Sequence, residues 1–236
     1  MKIVSWNCNG AFRKKYQEID NENADVIIIQ ECEDPIESKH KDFIQWAENY
    51  LWIGDSKNKG IGVFAKKEIK LEKLNWSNLY EDHEVKYFLP FRINDKYNII
   101  AVWAHQNNSP NFGYIGQIWK YIQINKIKIA NSIIIGDFNS NKIWDEWDRW
   151  WNHSDVVNTL SEMGLESVYH KYFNENQGEE SKATFFLQRK LDKPYHIDYC
   201  FSPISLFENL IKFEVGDFGK WQLFSDHNPL FLEYDL

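Results

Sequence analysis

The 236-residue chain is poor in the residues that staple or anchor a protein. Its three cysteines, Cys8, Cys32 and Cys200, form an odd, unclustered set that offers neither a disulfide framework nor a zinc knuckle. Each lies in or beside an apolar run, so buried free thiols are expected. No stretch approaches the roughly 20 apolar residues of a membrane span. Met1-Lys2-Ile3-Val4-Ser5-Trp6-Asn7 turns polar too early for a secretory signal. These absences predict a cytoplasmic protein with no membrane contact and no obligate protein partner. Repeats, low-complexity tracts and Pro/Gly-rich linkers are missing too, so residues 1–236 are read as one domain. There is also no basic surplus: a net charge of −8 argues against a protein that grips nucleic acid through a broad cationic face. It leaves room for an enzyme that meets phosphate through a bound cation, because a pocket holding such an ion must itself be negative.

What is present is apolar and aromatic. Apolar residues make up 43% and aromatics 17%, ample material for a packed interior. Short strand-like runs at 2–6, 25–30, 50–54, 61–65, 86–93, 97–104, 132–136, 183–187, 196–201 and 229–234 alternate with turns. Ile115, Ile118, Trp119 and Ile122 fall at i, i+3, i+4 and i+7, which predicts a helix over 114–126. A second helix is expected from Ser154, as N-cap, to Met163, with Gly164 as its stop. Many strands with helices between them, but no regular βαβ alternation, suggest two packed sheets flanked by helices.

The chemistry lies at the ends of the runs. Ile3-Val4-Ser5-Trp6 ends in Asn7, and Val26-Ile27-Ile28-Ile29-Gln30 in Glu31. The run ending Trp103-Ala104 delivers His105, and Ile133-Ile134-Ile135-Gly136 delivers Asp137, with Asn139 two residues on. Strand alternation would put Asp137 and Asn139 on one face. Further along, Asp198 follows His196 by two, and Ser225-Asp226-His227 precedes the last apolar run. An isolated Asp or Asn after a strand is usually a turn former, and a lone histidine usually has no catalytic duty. Motifs recurring in this way, each at the edge of an apolar run, are hard to explain as turns. Their oxygen donors suit a hard cation such as Mg²⁺, and the histidines suit proton transfer or charge stabilisation.

Trp6-Asn7, Gln30-Glu31, Gly136-Asp137-Phe138-Asn139, Ile197-Asp198-Tyr199 and Ser225-Asp226-His227-Asn228-Pro229 resemble the ordered motifs of the endonuclease/exonuclease/phosphatase superfamily. That group includes exonuclease III, apurinic endonucleases, pancreatic deoxyribonuclease, sphingomyelinases and inositol polyphosphate phosphatases. The resemblance spans nearly the whole chain. It implies a four-layered α/β-sandwich, with two packed mixed β-sheets flanked by helices, and a phosphoesterase dependent on Mg²⁺, with Mn²⁺ as a substitute. It also implies roles. Glu31 would be the principal metal ligand, supported by Asn7 and Asp226. Asp137 would orient or deprotonate the attacking water, and Asn139 would hold water and a phosphate oxygen. His227 would stabilise charge on the scissile phosphate, with Asp198 fixing its ring. His105, where these enzymes place a tyrosine or a histidine, is similar to the pancreatic deoxyribonuclease pattern and would be the acid for the leaving oxygen.

The departures point to what is particular to this chain. Asn9 stands where apurinic endonucleases have a metal-proximal aspartate, which weakens that contribution but leaves Asn9 beside the substrate. His196 replaces an arginine often found before Ile-Asp. A carboxylate partner for His105 is expected, with Glu81 and Glu84 as candidates. Thr184 matches a Thr-aromatic strand of related nucleases and is a candidate substrate contact, although an ordinary strand residue is the expected reading. Arg189, Lys190 and Lys193 are candidates to steer an anionic substrate, against the default of solvated surface charge.

Residues 143–151 carry four tryptophans. Trp150 and Trp151 are candidates for stacking bases of a single strand. Trp144, Trp147 and Trp151 share a helical face, however, so a short helix or loop whose indoles cover the sheet is the expected reading. The leading function is metal-dependent phosphodiester hydrolysis in DNA or RNA. The alternative is a small-molecule phosphatase or phosphodiesterase, favoured by the acidic charge. A catalytically dead binding module ranks last, since Glu31, Asp137, Asp226 and His227 are all present.

Overall fold

The Ile- and Val-rich runs become the central strands of two six-stranded sheets in a computed structural model that describes residues 1–235. The first strands in chain order are β1 (Lys2–Asn7), β2 (Val26–Cys32), β3 (Tyr50–Ser56), β4 (Lys59–Ala65) and β5 (Leu71–Lys73). They are followed by β6 (Leu79–Tyr80), β7 (His83–Glu84), β8 (Phe88–Ile93), β9 (Tyr97–Trp103), β10 (Ser132–Asp137) and β11 (Leu165–Ser167). The last are β12 (Phe185–Phe186), β13 (Pro194–Tyr195), β14 (Asp198–Pro203), β15 (Leu210–Val215) and β16 (Leu230–Tyr234). The helices are α1 (Tyr16–Asp20), α2 (Lys41–Trp46), α3 (Ile115–Ile129), α4 (His153–Glu162), α5 (Val168–Phe173), α6 (Ile204–Phe207) and α7 (Phe218–Trp221).

One sheet runs β15-β16-β1-β2-β4-β3 and the other β11-β14-β10-β9-β8-β5. Each is mixed: β1 and β2 are parallel, as are β9 and β10, while their outer neighbours are antiparallel. Parallel neighbours need a crossover, supplied by α1 in the first sheet and by α3 in the second. Ile3, Val26, Ile28, Leu89, Phe91, Ile99, Ile133 and Ile135 pack between the sheets. The alternate residues face outward. Val4, Trp6, Ile27 and Ile29 meet Phe12, Phe43 and Trp221 on one side, and Ile100, Val102 and Ile134 meet Ile118, Ile122 and Leu160 of α3 and α4 on the other. Both faces of the central strands are therefore covered, which is why their sequences read as unbroken apolar runs. The result is the four-layered α/β-sandwich.

Boundaries moved where local contacts compete. Asn152, not Ser154, precedes α4, and its backbone N–H donates to Asp155 Oδ2 at 2.8 Å. Gly164 follows the helix with φ of 81°, the left-handed turn that favours glycine. The strand expected over 183–187 contracts to β12, and the one over 196–201 begins at Asp198. The edge strand β15 and the short helices α1, α2 and α5 carried too little periodicity to be recognised. Of the two forms expected for the tryptophan segment, helix or loop, the loop is the one that forms. A 3₁₀ turn, Lys142–Trp144, gives way to bends, and Trp147 and Trp150 stand 95% and 63% exposed rather than covering a sheet. Only Trp151 packs inward, stacked 4.0 Å from Phe112. All three thiols are buried.

Candidate active site

Strand register gathers the motif residues at one rim of the two sheets. In the first sheet Asn7 pairs with Gln30 at the ends of β1 and β2. The β2–β4 ladder then slips, with Gln30 opposite Ile61 and Cys32 opposite Gly60, so Glu31 is the extra residue of a bulge. Its φ of 61° is unusual for a residue with a side chain. Bulges re-aim side chains, and this one turns Glu31 out of the ladder at the rim. In the second sheet Asp137 pairs with Asp198 across β10 and β14. Gly136 just before it has φ of 147°, and a Cβ there would lie 1.9 Å from Val102 O. Only glycine lets β9 approach closely enough for Ala104 N to donate to Asp137 O at 2.7 Å.

A hydrogen-bonded line joins the sheets. His227 Nδ1 lies 2.9 Å from Asp198 Oδ2. Asn7 Nδ2 donates to Asp137 Oδ2 at 2.9 Å and leans toward Glu31 Oε1 at 3.4 Å. Asn7 Oδ1 accepts from Asn9 N at 3.0 Å, and Asn9 Nδ2 donates to Asp226 Oδ1 at 3.0 Å. The loop before β16 is anchored by Ser225 Oγ, which donates to Asn7 O at 2.7 Å, and by Trp6 Nε1, which donates to His227 O at 2.9 Å.

Asp137, Asp198 and His227 are all buried. Burial and the neighbouring Asp198 raise the pKa of Asp137, against the pull of His227 and of its hydrogen bonds to Asn7 and Asn139. Burial alone would lower the His227 imidazole, but Asp198 and Asp137 beside it raise it to about 9. The ring is therefore cationic at neutral pH, held between two carboxylates. His105 is different. Burial lowers its pKa, partly offset by Glu31 and Asp55, so its ring is neutral at pH 7. Its Nδ1 accepts from Asn107 N at 3.0 Å, which leaves the proton on Nε2.

Two groups could hold a metal ion. Asp137, Asp198 and His227 each offer a ligand atom, all within 4.8 Å of one another. The second is the oxygen set at the rim, Glu31 and Asp226, whose carboxylates are linked through Asn7 and Asn9. Its chemistry fits a hard cation better, because the first group already spends His227 Nδ1 and Asp198 on each other.

The other candidate residues have definite partners or surroundings. Asn7 presents its amide nitrogen, not its oxygen, to the carboxylates, so it bridges them as a donor. Asn139 turns inward, its backbone N–H donating to Asp137 Oδ1 at 2.8 Å and its Nδ2 to Asp137 Oδ2 and Ala104 O, both at 3.0 Å. Thr184 is fully buried and cannot meet substrate; its Oγ1 accepts from Ile197 N and Asp198 N at 2.9 and 3.0 Å. Among the described residues no carboxylate hydrogen-bonds to His105; Glu84 Oε1 instead accepts from Asn78 Nδ2 at 2.7 Å. His196 is buried, packed on Tyr169 and Tyr199. Arg189 is exposed, with Nη2 3.4 Å from Phe224 O. Trp150 and Trp151 adjoin Phe112, in the loop that follows His105.

Sequence reasoning missed Lys59, whose Nζ lies 2.6 Å from Glu31 Oε2. Nothing in Lys57-Asn58-Lys59-Gly60 marks it; the pairing of Gly60 with Cys32 brings it there. It also missed Phe185, whose ring is 4.7 Å from that of His227.

A profile of the Endonuclease/Exonuclease/phosphatase family matches residues 4–227. No curated protein sequence matches the chain. Three solved structures are similar over the full length of both chains. The 3' phosphatase NExo from Neisseria bound to a product DNA hairpin has 18% identity and a TM-score of 0.73. The 3'-5' exonuclease NExo from Neisseria meningitidis has 18% and 0.72. An AP endonuclease from Archaeoglobus fulgidus has 17% and 0.71. At such identities they establish the fold, while the family match covers nearly all of the motif residues. The chain belongs to the Endonuclease/Exonuclease/phosphatase family.

Proposed function

We propose that the protein hydrolyses phosphodiester bonds in nucleic acid with the help of a divalent cation, Mg²⁺ or Mn²⁺. The observation that carries this reading is the Asp198–His227 pair set beside Asp137, which Asn7 ties to the Glu31 and Asp226 rim. A phosphate at that rim meets a cationic imidazole, a buried carboxylate of raised pKa and an oxygen donor set together. The nucleic-acid enzymes among the similar structures favour the same substrate.

Glu31 and Asp226 would hold the cation, which supplies neutralisation of phosphate charge and polarisation of the P–O bond. Asp137 takes the proton of the attacking water. Its raised pKa makes it a stronger base than an ordinary carboxylate. Asn139 and Asn7 aim that carboxylate through three hydrogen bonds. His227 donates toward the phosphate oxygen that gains charge, while Asp198 holds its ring. His105 presents Nε2–H to the leaving oxygen. Negative charge arriving with the phosphate raises its pKa, so the ring takes up a second proton at Nδ1, displacing the Asn107 N–H, and as imidazolium can pass its Nε2 proton to the leaving oxygen.

The test is a Mg²⁺-supplemented panel of single-stranded DNA, duplex DNA, abasic DNA, RNA and phosphate monoesters, with products resolved by length. Cleavage of oligonucleotides that EDTA abolishes and either ion restores is expected. Release of phosphate from small monoesters beside intact oligonucleotides would favour the second reading, a small-molecule phosphatase. The net charge of −8 gives that reading its support.

A further inference from the structure

A series of aromatic rings leads from the hydrolytic residues to solvent. Phe185 forms a β-bridge with His227, their rings 4.7 Å apart. Tyr195 pairs with Phe185 in the β12–β13 hairpin, with ring centroids 6.3 Å apart. Trp144 then reaches across from its 3₁₀ turn to place its ring 5.3 Å from Tyr195. The angles between successive planes are 47°, 33° and 37°, so each ring turns only partly from the last and none meets the next edge-on. Trp144 is 43% exposed and Phe185 and Tyr195 half-buried.

The outermost ring is held in place. Asn141 Oδ1 accepts from Ile143 N at 3.0 Å and caps the turn that carries Trp144. Its Nδ2 donates to His196 O at 2.9 Å, two residues from Asp198. The indole is thereby fixed relative to the site, as a preorganised stacking surface must be. The hairpin turn beyond Tyr195 carries exposed Arg189 and Lys190 and half-buried Lys193, a local cationic group offset by Asp192 on a protein of net charge −8. Asp145, next to Trp144, spends its carboxylate on the N–H groups of His153 and Ser154 at 2.8 and 3.2 Å.

We propose that Trp144 and Tyr195 extend the site into a stacking track for unpaired nucleobases flanking the scissile phosphate, with Arg189, Lys190 and Lys193 on the neighbouring phosphates. The substrate class is then single-stranded nucleic acid or a frayed end, because a base inside a duplex has no free face. This rests on the nuclease reading and adds the strand state that the site selects. Base–aromatic stacking contributes about 1–3 kcal/mol per base, a factor of roughly 5 to 150 in binding.

The test is steady-state cleavage of a single-stranded oligonucleotide and of the same sequence as a blunt duplex. Trp144→Ala should raise the single-strand KM about 5-fold or more, shift the duplex KM far less, and recover with Trp144→Phe. Trp147→Ala, an exposed indole outside the track, serves as control and should leave both values unchanged. A fluorescein-labelled strand followed by anisotropy on an Asp137→Asn background should show the same loss in binding alone. A lowered melting temperature without a KM shift, or equal effects on both strand states, would overturn the track while leaving the nuclease reading intact. Loss of phosphatidylcholine vesicle binding in Trp144→Ala with oligonucleotide KM unchanged would assign the surface to lipid and overturn it too. If the unaltered protein cuts neither strand state, the nuclease reading fails first and the track with it.

Discussion

Lys59 Nζ lies 2.6 Å from Glu31 Oε2, so the carboxylate best placed to take a divalent cation is already neutralised by the protein's own ammonium group. Lys59 is half exposed and its pair with Glu31 is correspondingly weak, about 0.2–1 kcal/mol by comparison with other surface pairs. An incoming ion therefore competes with Lys59. Lys59→Met should tighten Mg²⁺ binding by roughly 1.5- to 5-fold in titration calorimetry, and Glu31→Gln should weaken it severely. An unchanged affinity in Lys59→Met would mean that the ion does not use Glu31.

The second prediction concerns charge at His227. Its pKa near 9 depends on Asp198 and Asp137, so removing the Asp198 charge in Asp198→Asn lowers it. If the cationic ring is the active form, the alkaline limb of the rate profile moves to lower pH in that variant. His227→Ala should cost about 10²–10³-fold in turnover, and Asp137→Asn about 10²–10⁴-fold, with circular dichroism unchanged. A pH profile that Asp198→Asn leaves in place would remove the imidazolium from the mechanism.

His105→Ala should cost about 10²–10⁴-fold on a poor leaving group. The loss should shrink for a leaving group of low pKa, which needs no proton. Equal losses on both would reassign His105 to phosphate binding.

Thr184 acts on the site through the backbone. Its Oγ1 accepts from Ile197 N and Asp198 N, and Thr184→Val would strand two buried donors at about 1–3 kcal/mol each. The melting temperature should fall, and turnover should fall with unchanged KM as Asp198 shifts. Thr184→Ser, which keeps the acceptor, should restore both. A variant that melts early but turns over normally would limit Thr184 to stability.

His153 makes stability depend on pH. Burial lowers its pKa to about 4, below its ordinary value of 6.5. The unfolded chain therefore binds more protons between those values, and stability rises with pH from about 4 to 6.5, then levels. The full span corresponds to ~3 kcal/mol. His153→Gln should flatten that part of the urea-unfolding curve against pH. An unchanged slope would assign it to other groups.

The motif residues were legible in the sequence because each one interrupts a run that is buried on both faces. A polar group at the end of Ile133-Ile134-Ile135-Gly136 or Val26-Ile27-Ile28-Ile29-Gln30 needs a reason to be there, and the central strands were recognisable by the same runs. Which polar group touches which was decided by register and by long-range approach. The Gln30–Cys32 bulge aims Glu31, the closeness that only Gly136 permits brings Ala104 onto Asp137, and the pairing of Gly60 with Cys32 delivers Lys59. The amides of Asn7 and Asn139 face inward because buried carboxylates demand donors, a demand that exists only once Asp137 is enclosed. The tryptophan segment shows the limit most clearly. Helical spacing at Trp144, Trp147 and Trp151 was real, but Asn141 and Asn152 bind the flanking backbone into a turn and a cap, and these local side-chain-to-backbone hydrogen bonds outweighed a period only two turns long.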